Sequence, residues 1–487
     1  MNRADEPGAP EDAGGDYLMS KILFVLDSVF EHQGIQALSA FVKRNGYRAE
    51  ALFYEKGRPA ALVPAILARE PLLVGFSVTS MNYQWALDLA REIKKASRIP
   101  VVFGGPHPTY FPEFIETDGV DIICVGDGEE ALLELARRLE AGQDITGIRN
   151  LCVKAGGKIT RNEMRPLIDE LDSLPYLDRE IFYENSPLLA GFSSKRFLVA
   201  RGCPYSCTYC HNHELRASYA GKGRFVRFRS PADIVAEIKL VREKYGMKTV
   251  SFCADTFTLY PQLAEFLELY RKEINLPFFC QGRFNELTEE KAAQLAAAGC
   301  FYMALGVECG SERLRNVVLK RNMTDEEITR GAALLHKHKI KFIAYVMFGL
   351  PGETLDEAVS TVELLGRIGA DNIAPTIYQP IVKTELWKYM LAHDLFENGS
   401  AESFSHYSYD TPVKLGHKRE MVNLHKIAFL GVRFPAFIPL LRRLIRLPHN
   451  PLFKLLNDYD LFNTYRVSRA MDWVEMIKLS WSIRKMM

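Results

Sequence analysis

Short runs of apolar residues alternate with amphipathic stretches in the first third of the chain. Five of these runs have the length and composition of buried strands, namely KILFVLDS, YRAEALF, LLVGFSV, IPVVFGG and VDIICVG. The stretches between them, such as NYQWALDLAREIKKAS, have the periodicity of amphipathic helices. Apolar strands separated by helices are typical of a parallel sheet that is covered on both faces. We therefore predict an α/β fold that begins with a doubly wound, Rossmann or flavodoxin-like domain over residues 20–142.

The same alternation resumes after residue 194. Six strand-like runs, from KRFLVARG to NIAPTIYQP, alternate with helical patterns. A complete eight-stranded βα barrel takes about 250 residues, so the shorter pattern predicts a partial (β/α)6 TIM-type barrel over residues 195–382. Residues 143–194 have few periodic elements and are predicted to connect the two domains. Residues 383–487 are predicted to form a mostly helical extension.

Composition narrows the class of protein. The first 19 residues are acidic and rich in Gly and Pro, which predicts a disordered tail and not a signal peptide. A formal net charge of +1 gives no sign of the basic domain that nucleic-acid binding requires. The chain contains no run of about 18 apolar residues, so no membrane span is predicted. Nine cysteines without a secretion signal favour a reducing cytoplasm, where clustered cysteines more often bind metal.

Three of the nine cysteines lie within eight residues, in RGCPYSCTYCHN: Cys203, Cys207 and Cys210. Thiolates in tight spacing hold either zinc or an iron–sulfur cluster. A zinc site would need a fourth ligand, which His211 or His213 could supply. Structural zinc sites usually draw their ligands from two separate knuckles, whereas this single loop directly follows the strand RFLVA. A cubane cluster on three thiolates leaves one iron open for an exogenous ligand.

The CxxxCxxC spacing after a strand, with an aromatic residue before the last cysteine, resembles the signature of the radical S-adenosylmethionine (SAM) superfamily. The resemblance implies a [4Fe-4S] cluster whose open iron binds SAM, a 5′-deoxyadenosyl radical, and a flavodoxin or ferredoxin as electron donor. It also implies SAM contacts at later strand ends. These are Tyr209, Asp255 for the amino group, Arg283 for the carboxylate, Glu308 for the ribose, and Gly349 in FGLPGET for the adenine. The alternatives are a helix cap for Asp255, a surface salt bridge for Arg283, a structural role for Glu308 and an ordinary turn at Gly349.

Small and hydroxyl-bearing residues follow the third, fourth and fifth strands of the first domain. Small residues at strand ends let a bulky planar cofactor or its nucleotide tail enter between strands. Fused ahead of a radical SAM core, this pattern resembles the cobalamin-binding domain of cobalamin-dependent radical SAM enzymes, which include methyltransferases and the anaerobic porphyrin-ester cyclase. The resemblance covers roughly residues 21–380. It implies cobalamin contacts from Ser77, Thr79, Gly104, Gly105, His107, Gly126 and Glu129.

The loop after the first strand departs from one cobalamin pattern. Domains that ligate cobalt through histidine carry D-x-H-x-x-G there, whereas this loop reads LDSVFEHQG, with Asp27, His32 and Gly34 at a different spacing. We predict that no histidine of this loop binds cobalt and that His32 starts a helix. His107, between two prolines, could approach the corrin face. A fold retained without cobalamin is the alternative.

These features predict a radical SAM enzyme that transfers a methyl group from cobalamin to an unactivated carbon of a small substrate. Cyclisation or oxidation of a tetrapyrrole or isoprenoid-like substrate is the alternative within the same chemistry. A methylthiolating RNA-modification enzyme is disfavoured, because only Cys124 and Cys152 precede residue 200 and the charge is balanced.

The segment 421–457 carries six basic residues and no acidic one, with large apolar residues between them. One interpretation is a helical cap packed on the barrel. The other is an amphipathic face that touches the inner face of a membrane or admits a lipophilic substrate. The basic residues are Lys426, Arg433, Arg442, Arg443, Arg446 and Lys454.

Overall fold

The structure, a computed structural model, describes residues 20–27, 30–54, 59–397, 410–468, 471 and 473–486. The tail of residues 1–19, predicted to be disordered, lies outside the described residues.

The N-terminal domain has a central sheet with helices on both faces. Its strands are β1 (Lys21–Leu26), β2 (Arg48–Phe53), β3 (Leu73–Ser77), β4 (Val101–Gly104), β5 (Ile122–Cys124), β6 (Leu151–Ala155) and β7 (Lys158–Arg161). Its helices are α1 (Gln33–Arg44), α2 (Val63–Leu67), α3 (Tyr83–Ala96), α4 (Pro106–Tyr110) and α5 (Glu129–Glu140). The strand order is β2-β1-β3-β4-β5-β6-β7, and the first five strands are parallel, as predicted.

Alternate residues of the central strand β1 belong to two different cores. Ile22 and Phe24 pack with α1 and α5 on one face, whereas Leu23 and Val25 pack with α3 on the other. Both faces of the sheet are therefore buried, which explains the continuous apolar runs.

Strands β6 and β7 lie in the stretch that was predicted to be only a connecting segment. They form an antiparallel hairpin that pairs with β5 and extends the sheet beyond residue 142. The hairpin turns through Gly156 and Gly157, which both have positive φ. Its sequence, LCVKAGGKITR, has an apolar run of only three residues, LCV, which is too short to mark a strand by itself although all three are buried. The predicted domain limits stay a prediction.

The second domain is a six-stranded parallel sheet with the order β15-β14-β13-β12-β11-β8, which is the predicted partial barrel. Its strands are β8 (Ser194–Leu198), β11 (Thr249–Cys253), β12 (Phe278–Gly282), β13 (Cys300–Glu308), β14 (Lys341–Phe348) and β15 (Asn372–Ile377), and β9 (Ala200–Arg201) pairs with β10 (Arg227–Phe228) beside it. The helices that precede, surround and follow it are α6 (Glu180–Tyr183), α7 (Pro187–Ala190), α8 (His211–Ser218), α9 (Pro231–Tyr245), α10 (Leu263–Glu273), α11 (Glu289–Ala297), α12 (Asp325–Lys337), α13 (Leu355–Arg367), α14 (Glu385–Ala392), α15 (Lys418–Arg433), α16 (Ile438–Leu444), α17 (Pro451–Ser468) and α18 (Trp473–Met486).

The C-terminal helices bridge the two edge strands of this open sheet. At the β15 edge, the Asn372 side chain accepts a hydrogen bond from Tyr302 at 2.7 Å and donates one to Thr464 of α17 at 3.2 Å. At the β8 edge, Glu475 of α18 accepts from the backbone N–H of Ser193 at 2.9 Å. The extension thus covers the side that six strands leave open, which supports the helical-cap interpretation. Within the described ranges, no helix is both long enough and apolar enough to span a bilayer.

Candidate active site

The three clustered cysteines lie at the carboxyl ends of barrel strands. The Cys203 sulfur is 3.9 Å from the Thr256 hydroxyl, just after β11. Cys207 is buried, and Cys210 precedes α8, where its sulfur accepts a hydrogen bond from the backbone N–H of Asn212 at 3.5 Å. This is the end of a βα barrel at which reactions take place.

Both histidines that could complete a zinc site have other partners. The His211 ring stacks on Tyr110 with 3.7 Å between centroids, and its Nε2 is 3.0 Å from the Val382 carbonyl oxygen. The His213 Nδ1 is 3.2 Å from the Cys210 carbonyl oxygen. Among the described residues, no three His, Cys, Asp or Glu side chains lie close enough to hold one metal ion. The three thiols therefore fit a multi-iron cluster better than a single zinc ion.

Two guanidinium groups surround the Cys207 sulfur. The Nη1 atoms of Arg283 and Arg321 each lie 3.9 Å from it. Positive charge beside a thiol stabilises the thiolate, which is the form that binds iron. Sequence analysis missed Arg321, since it follows the irregular helical turn Arg313–Val318 and not a strand. No local pattern marks it.

Arg283, predicted to approach the SAM carboxylate, is buried and stacks over the Tyr205 ring at 3.7 Å. Its Nη2 also donates to the Arg321 backbone carbonyl. A surface salt bridge, which was the alternative, does not describe this buried position. The SAM contact itself stays a prediction.

Glu308 ends β13 in a conformation that is costly for a residue with a side chain. Its φ is +68°, and the pairing of β13 with β14 shifts register between Gly306 and Glu308. Its carboxylate is 3.4 Å from Arg321 Nη1, which in turn is 3.2 Å from the Tyr209 hydroxyl. Burial raises the pKa of Tyr209 well above its usual value. Backbone strain of this kind clusters at functional sites, and here it aims the carboxylate at the cysteine loop.

Asp255 does not cap a helix, since Thr256 takes that position before the next short turn. Its carboxylate accepts from the Asn212 side chain at 3.1 Å, and burial raises its pKa. Gly349 has a φ of +78°. The N–H groups of Gly349 and Leu350 donate to the buried Glu353 carboxylate at 2.6 and 3.0 Å. The Gly349 N–H is thus used inside the turn, and an approach to adenine stays a prediction.

A cavity of about 340 Å³ lies in the N-terminal domain, between the sheet and the helices α1 and α5. Glycines form much of its wall: Gly75 inside β3, Gly104 and Gly105 at the end of β4, and Gly126 and Gly128 between β5 and α5. A Cβ atom on Gly104 would come no closer than 3.9 Å to another atom, which is an ordinary contact distance, so the wall has room for a side chain at this point. A cleft shaped by absent side chains fits the tail of a large cofactor such as cobalamin.

Five of the seven residues predicted to contact cobalamin line this cavity: Ser77, Gly104, Gly105, Gly126 and Glu129. Thr79 and His107 are not among its lining residues. Thr79 bonds the Asn82 side chain at 3.0 Å. The His107 ring stacks on Tyr83 with 4.1 Å between centroids, and burial lowers its pKa to about 4.

His32 starts α1, as predicted. Its Nδ1 accepts from the Ile35 backbone N–H at 3.4 Å, and its Nε2 is 3.2 Å from the Ser77 hydroxyl. Burial lowers its pKa. The ring also lines the glycine-walled cavity, but the prediction that it does not ligate cobalt stays untested.

A second cavity, of about 360 Å³, lies between the two domains. It shares Asp127 and Arg201 with the glycine-walled cavity, and reaches Asn212 and Asp255 beside the thiols. Arg201 donates to Glu129 at 2.6 Å, which ties the two domains together at this wall. The carboxyl ends of the two parallel sheets therefore meet at one site.

The comparisons agree with this geometry. Residues 197–365 match the radical SAM superfamily, and residues 19–136 match the B12 binding domain. The chain thus carries a radical SAM domain, with a B12-binding domain ahead of it. Its cofactors are accordingly a [4Fe-4S] cluster, SAM and cobalamin.

The chain is 27% identical over 353 residues to the uncharacterized methyltransferase PH0819 of Pyrococcus horikoshii, covering 72% of this chain and 75% of that protein. It is 24% identical over 365 residues to the anaerobic magnesium-protoporphyrin IX monomethyl ester cyclase of Rubrivivax gelatinosus, covering 72% of this chain and 62% of the cyclase. Among solved structures, the cobalamin-dependent SAM radical enzyme OxsB superposes with a TM-score of 0.68 at 15% identity, over 96% of this chain and 75% of OxsB.

Proposed function

We propose that this protein is a cobalamin-dependent radical SAM methyltransferase that acts on an unactivated carbon of a small substrate. The observation that carries the proposal is the interdomain cavity, which adjoins the glycine-walled cavity on one side and the thiol loop on the other. When bound, the cluster and SAM supply a 5′-deoxyadenosyl radical, and cobalamin supplies the methyl group. A substrate in the interdomain cavity would lie between the two sources.

The residues around this cavity have distinct tasks. Cys203, Cys207 and Cys210 hold the cluster, and the fourth iron is left to SAM. Arg283 and Arg321 keep positive charge at the Cys207 sulfur. Asp255 lies where the SAM amino group would meet a carboxylate. Glu308, held by Arg321 at 3.4 Å, presents a hydrogen-bond acceptor for ribose hydroxyls.

Product analysis tests the proposal. The protein is purified anaerobically, reconstituted with iron, sulfide and hydroxocobalamin, reduced, and given SAM. Near-stoichiometric corrinoid, with both 5′-deoxyadenosine and S-adenosylhomocysteine formed, is expected of a methyltransferase. No bound corrinoid, or no S-adenosylhomocysteine from loaded enzyme, contradicts it.

The match to a porphyrin-ester cyclase favours a second candidate, a cyclase or oxidase that uses the same initiating radical. Such an enzyme would form 5′-deoxyadenosine without S-adenosylhomocysteine. The ratio of these two products therefore separates the candidates. The reductant that we propose for either reaction is a flavodoxin or ferredoxin, because reductive cleavage of SAM requires one electron at low potential.

We also propose that the C-terminal helices touch a membrane surface, which favours a lipophilic substrate. Large apolar side chains there expose 45% or more of their area: Phe434, Leu440, Leu447, Leu452, Leu455, Trp473 and Ile477. The basic side chains of Arg443 and Arg446 are exposed near them. An apolar surface flanked by cations suits an anionic bilayer.

Co-sedimentation with phosphatidylglycerol vesicles tests the contact. The double substitution Leu452→Ser and Leu455→Ser should reduce vesicle binding several-fold. Because both side chains are exposed, the substitutions should leave the fold intact. Leu240→Ser, at an exposed position on α9, is the matched control. Equal partitioning of all three proteins argues against membrane contact.

A further inference from the structure

A third cavity, of about 260 Å³, lies inside the partial barrel. Side chains on the inner face of the sheet form its walls, since alternate residues of each strand point to opposite faces. Lys195 and Phe197 of β8 are fully buried on the outer face, so Arg196 between them points into the barrel. Ser251 and Gln281 line the same cavity from neighbouring strands.

Helix α17 closes this cavity on the open side of the sheet. Leu461, Thr464 and Tyr465 of α17 are lining residues, and the bond from Asn372 to Thr464 fixes the helix to β15. The C-terminal extension is therefore part of the cavity wall. Aromatic surface comes from Phe279 and Tyr345 inside the barrel.

Arg196 brings a charge into this cavity. No carboxylate of the described residues forms an ion pair with it; the groups that act on its charge are Cys253, which is also a hydrogen-bond partner, then Glu31 and Tyr465. Glu31 is engaged elsewhere, since it accepts from Tyr183 at 2.5 Å and lies 3.7 Å from Arg179. Arg196 is half-buried and lines both the barrel cavity and the interdomain cavity.

A half-buried cation without an anionic partner is costly, and a ligand anion removes that cost. A planar guanidinium fork matches carboxylate and phosphate in geometry. We infer that the barrel cavity binds an anionic group of the substrate, carboxylate or phosphate, on Arg196, with an apolar body against Phe279, Tyr345 and Leu461. This inference rests on the proposed function, because it names the substrate class of that site.

The position of Arg196 sets which part of the substrate reacts. Arg196, Cys253 and Gln281 line both the barrel cavity and the interdomain cavity, so the two adjoin. The interdomain cavity contains Asp255 and Asn212 next to the thiol loop. A substrate held by its anionic end at Arg196 would extend its other end toward the thiol loop, and the reacting carbon lies away from the anion.

Binding of three matched probes tests the inference without turnover. The probes are 2-naphthoate, 2-naphthyl phosphate and neutral 2-naphthalenemethanol, titrated by calorimetry into anaerobically reconstituted protein. We expect one or both anions to bind at least tenfold more tightly than the alcohol, and the better anion identifies the natural group. Arg196→Met should abolish that preference, Arg196→Lys should retain part of it, and Arg48→Met, at an exposed position on β2, should leave it unchanged.

A second variant tests the cavity independently, in case Arg196→Met does not fold. Ala374→Trp fills the same cavity from β15 and should weaken all three probes alike. The inference is overturned if neither anion binds, if the alcohol binds equally well, or if Arg196→Met keeps the preference. Cluster and corrinoid content are measured on the same samples by absorbance. Loss of these cofactors from the wild-type protein would refute the proposed function and not the anion site, whereas intact cofactors without anion preference would refute the anion site alone.

Discussion

The glycine-walled cavity and the thiol loop, which we propose hold cobalamin and the cluster, are built by opposite means. The cavity is shaped by side chains that are absent, as at Gly104, where a Cβ atom would meet its neighbours only at ordinary contact distance. The loop is defined by side chains that are present: thiols at Cys203, Cys207 and Cys210, and the guanidinium groups of Arg283 and Arg321 at Cys207. Shape selects a large, nearly neutral cofactor body, while charge and soft ligands select a metal cluster.

The two regions nevertheless meet at a wall of charged residues. Arg201 reaches Glu129 at 2.6 Å and Asp127 at 3.3 Å, and Arg227 reaches Asp127 at 3.1 Å. Because this wall borders the interdomain cavity, it joins the two regions without filling the space between them. Binding by shape and binding by charge can thus be combined at one reaction site. Each region should also fail separately when it is altered.

The largest expected effect comes from Cys207→Ala. Removing one of three thiolates leaves the cluster with only two protein ligands. Iron and sulfide content and 5′-deoxyadenosine formation should therefore fall by at least a hundredfold. Corrinoid should still co-elute with the variant, because no thiol of this loop lines the glycine-walled cavity. Cys152→Ala, at a buried thiol in β6, is the control. Full deoxyadenosine formation by Cys207→Ala would refute the assignment of the cluster.

Gly104→Leu should produce the reverse pattern. The φ of Gly104 is not in the left-handed region, so leucine is tolerated by the backbone and its side chain occupies the cavity. We expect corrinoid affinity to fall at least tenfold, with normal iron content and a normal cluster spectrum. Gly147→Leu is the matched control, since Gly147 is exposed and has no neighbour within 4 Å of its Cβ position. If both variants bind corrinoid alike, the cavity is not the cobalamin site.

The sequence predicts these two regions unequally, for a physical reason. Strand runs and the spacing of Cys203, Cys207 and Cys210 are local, so one stretch of chain reveals each. Arg321 lies 114 residues from Cys207 and reaches it only through the tertiary fold. The role of α17 as a cavity wall likewise depends on the bond between Asn372 and Thr464, 92 residues apart.

The glycine-walled cavity falls between these two cases. Gly104, Gly105 and Gly126 were predicted because they end strands. Gly75 lies inside β3 and Gly128 immediately precedes α5, and neither position distinguishes a cavity wall from ordinary packing. An empty space is a property of several elements together, so a single stretch of sequence cannot predict its extent.

A third prediction sharpens the contribution of charge at the thiol loop. Arg321→Met and Arg283→Met each remove a positive charge near the cluster and should lower its midpoint potential by tens of millivolts. Arg321→Met should have the larger effect, because it also leaves the Glu308 carboxylate, 3.4 Å away, without its partner. An EPR-monitored redox titration measures the shift. The control is Arg313→Met, at an exposed arginine paired with Glu357, which should not change the potential. Equal potentials in the wild-type protein and all three variants would mean that shape alone defines the thiol loop too.

The smallest expected effect concerns two buried glutamates, Glu129 in the wall of the glycine-walled cavity and Glu353 in the turn after β14 of the barrel. Glu129 has the Arg201 guanidinium at 2.6 Å, and Arg201 keeps Asp127 at 3.3 Å when Glu129 is replaced, so Glu129→Gln should destabilise the protein by about 1.5 kcal/mol. Glu353, by contrast, forms no ion pair with any of the described residues, and burial raises its pKa to about 8. A folded-state pKa above the unfolded value means that the contribution of this group to stability is complete at low pH. That contribution is lost as the pH rises toward and through 8.

Gln at position 353 mimics the neutral acid and can still accept the N–H bonds of Gly349 and Leu350. Glu353→Gln should therefore match the wild-type melting temperature at pH 5 and exceed it at pH 9. Each kcal/mol gained corresponds to a rise of roughly 2–4 °C for a domain of this size. Melting curves of both glutamine variants between pH 5 and pH 9 provide the measurement. If the difference between Glu353→Gln and wild type is constant over this range, Glu353 is ionised in the fold, and the two regions treat their buried carboxylates alike.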